Sequence, residues 1–141
     1  MKSDLRKSGF TLIEVLIVVV IMAVLAATII PQFTSTTRDA QQKASDFNAA
    51  TLRTQIQLYK IHHGEYPAMN ELEAKLTDRT DPKGPYLDVF PTNPTNNKKT
   101  LAAVAEPGKL PTGPTGADTG WQYDVTTGGI WPNHTGWTFT P

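Results

Sequence analysis

Three patterns of apolar and polar positions follow one another along the chain. From Phe10 to Ile30, 18 of 21 residues are apolar, broken only by Thr11, Glu14 and Thr28. As a helix rising about 1.5 Å per residue, this stretch spans roughly 31 Å, the thickness of a bilayer's hydrocarbon core. The pattern then stays helical to about His63, where Gly64 supplies a terminating residue that tolerates a left-handed backbone. Pro31 removes the bond to the Ala27 carbonyl, which predicts a kink or local melting over Ala27 to Pro31; the alternative is a simple membrane-exit residue. On a helical wheel Phe47, Ala50, Leu58 and Ile61 fall on one side, with Ala49, Leu52, Ile56 and Tyr59 roughly opposite. A polar strip of Gln42, Asp46, Arg53, Gln57 and Lys60 runs between them. One apolar face is expected to cover a sheet in the same chain and the other to contact neighbouring subunits. The competing arrangement is a small body that wraps both faces.

Beyond Gly64 the periods shorten. Asn70 to Thr77 reads as a short helix, with Asn70 as N-cap, Glu73 three residues on, and Leu72 and Leu76 on one face. Between Asp81 and Gly120, 7 prolines and 5 glycines among 40 residues leave room for little more than a short strand at Leu101 to Ala105. Trp121, Tyr123 and Val125 alternate with Gln122 and Asp124 as a half-buried strand does. Thr126 to Gly129 supplies a turn, Ile130 and Trp131 a returning strand, and Trp137 and Phe139 one face of a third. The tryptophans are read as the apolar underside of a small sheet, carbohydrate-binding platforms being the other use of such residues. The fold class is therefore α+β, a long N-terminal helix packed on a small C-terminal antiparallel sheet.

Charge and composition sharpen this division. The 13 basic and 13 acidic side chains give a net charge of zero, so no nucleic-acid partner is expected. The absence of cysteine excludes disulfides, thiolate zinc sites and cysteine nucleophiles. Lys2, Arg6 and Lys7, against Asp4, precede the apolar run and place that end in the cytoplasm and the body across the membrane. The run is longer than the apolar region of a secretory signal, and its small residue, Gly9, comes before it. A protease cutting at Gly9 would act on the cytoplasmic side and leave the apolar helix on the mature chain. Composition by itself supports a plain signal anchor, but Glu14 is the single charged residue in the stretch, and an intramembrane carboxylate normally has a partner or lies near the interface. Cleavage after Gly9 would expose a Phe10 ammonium at the depth of Glu14, which a neighbouring subunit can offer to that carboxylate.

The run Lys7-Ser8-Gly9-Phe10-Thr11-Leu12-Ile13-Glu14-Val15 resembles the processing site of type IV pilins and of the pseudopilins of type II secretion. The resemblance implies cleavage by a prepilin peptidase after Gly9, N-methylation of Phe10, and assembly roles for Phe10, Glu14 and Pro31. Tyr59-Lys60 to Gly64-Glu65-Tyr66-Pro67, then Gly84-Pro85-Tyr86-Leu87 with Pro91 and Pro94, and Trp121-Gln122-Tyr123-Asp124 with Gly128 are similar in order to major pseudopilins. The cysteine pair that closes typical type IV pilins is missing, which favours the secretion branch. The expected pilin-like organisation is a cleaved leader over 1–9, a membrane and filament-core helix over 10–31, an exposed amphipathic half over 32–64, and a loop-rich body over 65–141.

Major pseudopilins often bind calcium in an acidic C-terminal loop, and here the chain departs from the family. Calcium takes 6 to 8 oxygen ligands, usually with several carboxylates. Asp118 and Asp124 are the nearby candidates, and no cofactor is expected beyond that possibility. Adjacent His62 and His63 are expected on different helix faces, unable to share a metal. Asn133-His134-Thr135 matches a glycosylation acceptor, a short pattern common by chance. No phosphate loop, nucleophile elbow or zinc motif is present, so enzymatic activity is not expected. The resemblance implies a structural subunit of an inner-membrane pseudopilus. By the same resemblance it is expected to homopolymerise through its N-terminal helices and to be served by the prepilin peptidase, the assembly platform with its ATPase, and minor pseudopilins. The alternatives are a type IV pilin for adhesion, motility or DNA uptake, and a monomeric membrane-anchored binding domain that keeps its leader.

Overall fold

The computed structural model describes residues 9–116 and 118–135, with the backbone alone over 30–34. The elements are α1 (Leu12–His63), α2 (Leu72–Thr77), β1 (Leu101–Ala103), β2 (Trp121–Asp124) and β3 (Gly129–Pro132). The chain divides into two compact units between Arg38 and Asp39.

In the first unit, Leu12–Ile29 is long and apolar enough to cross a bilayer, and all its side chains are exposed. The polar atoms in this stretch are satisfied locally, as lipid requires. Thr28 donates its hydroxyl to the Val24 carbonyl at 3.1 Å. The backbone is helical through Pro31, so the local melting predicted there is absent.

In the second unit, the helix presents its two apolar faces to different surroundings. Ala49, Leu52, Ile56 and Tyr59 are buried in one core with Leu72, Leu76, Tyr86, Phe90, Trp121, Tyr123 and Ile130. On the opposite side Phe47 is 72 % and Ile61 77 % exposed. Among the described residues the body therefore covers one face and leaves the other open, which argues against the arrangement that wraps both. Gly64 ends α1 at φ 88°, a left-handed conformation that glycine adopts without steric cost, with its amide on the Lys60 carbonyl at 2.7 Å.

Three residues of the largely exposed polar strip reach across to the body. Arg53 Nε donates to the Ile130 carbonyl at 2.9 Å, and its guanidinium lies 5.4 Å from the Trp131 ring centroid. Gln57 Nε2 donates to the Thr127 carbonyl at 3.3 Å, and the Lys60 ammonium sits 4.2 Å from the Tyr66 ring centroid. Three successive turns of helix thus hold the β2–β3 hairpin and the segment beside it. Gly128, at φ 72°, lies against Tyr66, where a Cβ would approach Cε1 to 2.3 Å.

The sheet has the order β1-β2-β3 and is mixed. The β2–β3 pair is the expected antiparallel hairpin, with Gln122 opposite Trp131 and Tyr123 opposite Ile130. The correction concerns β1, which runs parallel to β2, with Leu101 opposite Trp121. Parallel neighbours need a long connection, and residues 104–120 provide one. A second correction concerns β2: all four of its residues are buried, including Gln122 and Asp124, whose polar pattern predicts a solvent face. The third concerns Asn70. The helix α2 starts at Leu72 with no side-chain cap, a backbone turn from the Glu71 amide to the Ala68 carbonyl at 3.0 Å leading into it. Trp121 and Trp131 are buried, Trp121 donating to the Pro91 carbonyl at 3.0 Å, which makes them core residues and not binding platforms. The strand expected at Trp137 and Phe139 lies outside the described residues.

Candidate functional site

The N-terminal end of α1 is built from the residues that precede it. Gly9 and Phe10 have non-helical backbone, Phe10 is 88 % exposed, and a Cβ at Gly9 would meet nothing within 4 Å. The Gly9 to Phe10 peptide bond therefore stands clear of the helix. Thr11 accepts the Glu14 amide on its hydroxyl at 3.3 Å, while Glu14 Oε2 accepts the Thr11 amide at 2.8 Å and the Thr11 hydroxyl at 2.7 Å. This is a reciprocal capping box, in which the first residue caps the helix and the carboxylate three residues on caps the cap. The carboxylate also sits at the positive end of the helix dipole. Glu14 is thus supplied with donors by its own chain. Thr11 is the residue the sequence reading misses, although Thr-x-x-Glu at the start of an apolar run is its signature. Ala23 and Ala27 are exposed one turn apart, and Pro31 lies within the continuous helical backbone.

At the other end of the chain, Asp118 and Asp124 have separate partners. Asp118 forms an ion pair with Lys98 at 2.9 Å. Asp124, 1 % exposed, accepts the Gly108 amide at 2.7 Å and the Thr127 hydroxyl at 2.8 Å on Oδ2. Its Oδ1 accepts the Thr126 amide at 2.9 Å and the Thr126 hydroxyl at 2.7 Å. Burial pushes this carboxyl up, but the donors from Thr126, Gly108 and Thr127 outweigh it and hold it below the ordinary carboxylate range. A depressed carboxyl stabilises the fold fully above its unfolded value of about 3.9 and loses that contribution as pH falls through the folded value. Asp124→Asn is therefore expected to cost about 1.5–3 kcal/mol at neutral pH, the weight of hydrogen bonds to a charged group. That gap from wild type should shrink below about pH 4 in acid titrations of thermal stability. A gap independent of pH would contradict this role.

Asn133, 4 % exposed, is committed to the interior. Its Oδ1 accepts the Thr115 amide at 2.9 Å and its Nδ2 donates to the Thr115 carbonyl at 2.6 Å, so the side chain is not presented for glycosylation. His62 and His63 also differ from expectation. Both reach one phenol, with His62 Nδ1 at 2.9 Å and His63 Nε2 at 3.1 Å from the Tyr86 hydroxyl. His63 Nε2 lies 2.9 Å from Asp81 Oδ2 and its ring stacks on Tyr59. At a helix terminus neighbouring side chains can converge on a group that packs against the end, which the wheel does not represent. The cluster fastens the end of α1 to the 78–88 loop, and burial, reinforced by Asp81 and Tyr59, pushes the Tyr86 phenol up.

Residues 4–30 match the family described as the prokaryotic N-terminal methylation motif. Residues 32–126, about two thirds of the chain, match the family described as type II secretion system (T2SS), protein G. The chain belongs to the type II secretion system protein G family. Type II secretion system core protein G of Vibrio cholerae is 30% identical over 125 residues, covering 84% of this chain and 86% of that relative. Its counterpart in Pseudomonas aeruginosa is 32% identical over 121 residues, covering 80% and 85%. A fimbrial protein of Neisseria meningitidis is 36% identical over 81 residues, covering 57% of this chain and 47% of its own. No solved structure matches this chain. The protein G match runs through Asp118 in the 104–120 loop and Asp124 at the end of β2, yet the residues there do not fit calcium. Four donors saturate Asp124 and an ammonium takes Asp118. Among the described residues no three His, Asp or Glu side chains gather to hold a metal ion.

Proposed function

We propose that this protein G family member is the repeating structural subunit of a type II secretion pseudopilus, a filament that grows from the inner membrane and drives folded proteins across the outer membrane. The observation that carries this reading is the protein G match over residues 32–126, one residue beyond a methylation motif over 4–30. The membrane-length helix fits a single-pass inner-membrane protein. The basic leader supports a cytoplasmic N-terminus and a periplasmic body. The prepilin peptidase cuts after Gly9 and Phe10 is N-methylated. Glu14 then exchanges its Thr11 donors for the Phe10 ammonium of a neighbouring subunit. Ala23 and Ala27 let helices approach closely, and the open face of Phe47, Leu58 and Ile61 extends the contact between copies. The assembly platform with its ATPase and the minor pseudopilins complete the machine.

The fimbrial match favours a second reading, a type IV pilin. A strain lacking the gene, scored for secretion and for surface filaments, separates the two. Lost export with no loss of surface filaments supports the pseudopilus, and the reverse supports the pilus. Mass spectrometry of the mature N-terminus is the companion measurement. An N-methylated Phe10 is expected, and Gly9→Leu should leave the leader attached and the subunit unassembled. An unprocessed N-terminus in the wild type would return the protein to the class of monomeric anchors.

A further inference from the structure

We infer that the long 104–120 connection is closed by a built-in lock of amides and one ammonium, which makes calcium unnecessary for the body's integrity. A calcium ion would need 6 to 8 of the loop's oxygens unengaged and converging. The carbonyls of Gly113, Thr115 and Thr119 and the carboxylate of Asp118 already face hydrogen-bond donors. Asn133 Nδ2 holds the Thr115 carbonyl at 2.6 Å, and the Thr115 amide returns to Asn133 Oδ1 at 2.9 Å. Asn96 Nδ2 spans the Thr119 carbonyl at 2.9 Å and the Asn133 carbonyl at 3.1 Å. Gln122, buried beneath the loop, donates to the Gly113 carbonyl at 3.0 Å. The positive charge beside Asp118 is the Lys98 ammonium at 2.9 Å.

These contacts divide the work a cation would do. A divalent ion gathers carbonyls and carboxylates onto one point, whereas here the acceptors are held by side-chain donors from separate residues. The side chains of Asn133 and Gln122 are buried, so the contacts face little competition from water. The donors also come from three places in the sequence: residues 96–98 before β1, Gln122 in β2, and Asn133 after β3. The loop is thereby fixed to both edges of the sheet. A calcium ion entering this site would have to displace N–H donors and the Lys98 ammonium that already holds Asp118. Asp124 is saturated by its own four donors. The lock holds whether the filament is a pseudopilus or a pilus, because it concerns the body alone.

The test uses the full chain in detergent, followed by tryptophan fluorescence on heating and by limited proteolysis, with added calcium chloride or with a chelator. The wild-type midpoint is expected to be the same in both, and the loop 104–120 to resist cleavage in both. Asn133→Ala should lower the midpoint by about 5–10 °C regardless of calcium, as loss of buried hydrogen bonds does in a domain of this size. Should that variant fail to fold, Asn96→Ala, which removes two carbonyl contacts at the partly buried rim, should open the loop to protease well below its melting temperature. A wild-type midpoint that falls with chelator and recovers with calcium would overturn the inference. So would an Asn96→Ala loop that stays uncut, or one calcium ion bound per chain in equilibrium dialysis.

Discussion

Glu14→Gln should give a subunit that is inserted, cleaved and methylated, yet yields only background levels of filament. Glutamine keeps the oxygen that accepts the Thr11 amide in the capping box, so the start of α1 survives the change. What it loses is the negative charge, and with it the proposed attraction to the Phe10 ammonium that cleavage would create on a neighbour. In lipid that attraction is poorly screened, because neither water nor salt reaches it. Thr11→Ala is the complementary variant: it removes the hydroxyl, weakens the cap by about 1 kcal/mol and keeps the charge, so it should still assemble. Sheared filament fractions, together with mass spectrometry of the N-terminus, report both steps. Filaments at wild-type levels from Glu14→Gln would refute charge pairing as the alignment device.

The second large effect is a contrast between two substitutions on one helix. Ile56 is fully buried and Phe47 is 72 % exposed on the opposite face. Ile56→Asp places a carboxylate in a core with no partner, a penalty of several kcal/mol against a total stability of about 5–15 kcal/mol, so the body should unfold. Phe47→Asp removes little intrachain packing and should shift stability by no more than about 0.5 kcal/mol. The same Phe47→Asp subunit should nevertheless fail to polymerise, because it sets a charge in the apolar face offered to other copies. Thermal melts of the full chain and filament yield together distinguish the outcomes. Normal filaments from Phe47→Asp would mean that this face meets no neighbour.

Much of this was legible in the residues. Gly9, Phe10 and Glu14 form a local, contiguous signal, and the run to Gly64 has a helical period long enough to outweigh Pro31. The stripes of Ala49 with Ile56 and of Phe47 with Ile61 were visible on a wheel, but which one the body covers depends on tertiary packing. The parallel pairing of β1 left no trace because its three residues meet a partner across a long connection with no turn signal of its own. Gln122 and Asp124 read as a solvent face for a related reason: the loop that covers them satisfies their side chains, and a pattern of polarity cannot distinguish water from hydrogen-bonding protein. Asn70 misled because its sequence context suits a cap while a backbone turn leads into α2 instead. His62 and His63 misled because convergence on Tyr86 happens at the end of a helix, where the wheel no longer applies.

Arg53, Gln57 and Lys60 give the helix a further property. Each engages a different point, the Ile130 carbonyl, the Thr127 carbonyl and the Tyr66 ring. A strand displaced by one residue turns its side chains to the opposite face and changes which carbonyls point at the helix. The three side chains therefore act as a template cut to one alignment, rewarding the correct hairpin and leaving a slipped one with mismatched teeth. Errors in pairing would be rejected within the subunit, before it is offered to a growing polymer in which every copy must present the same surface.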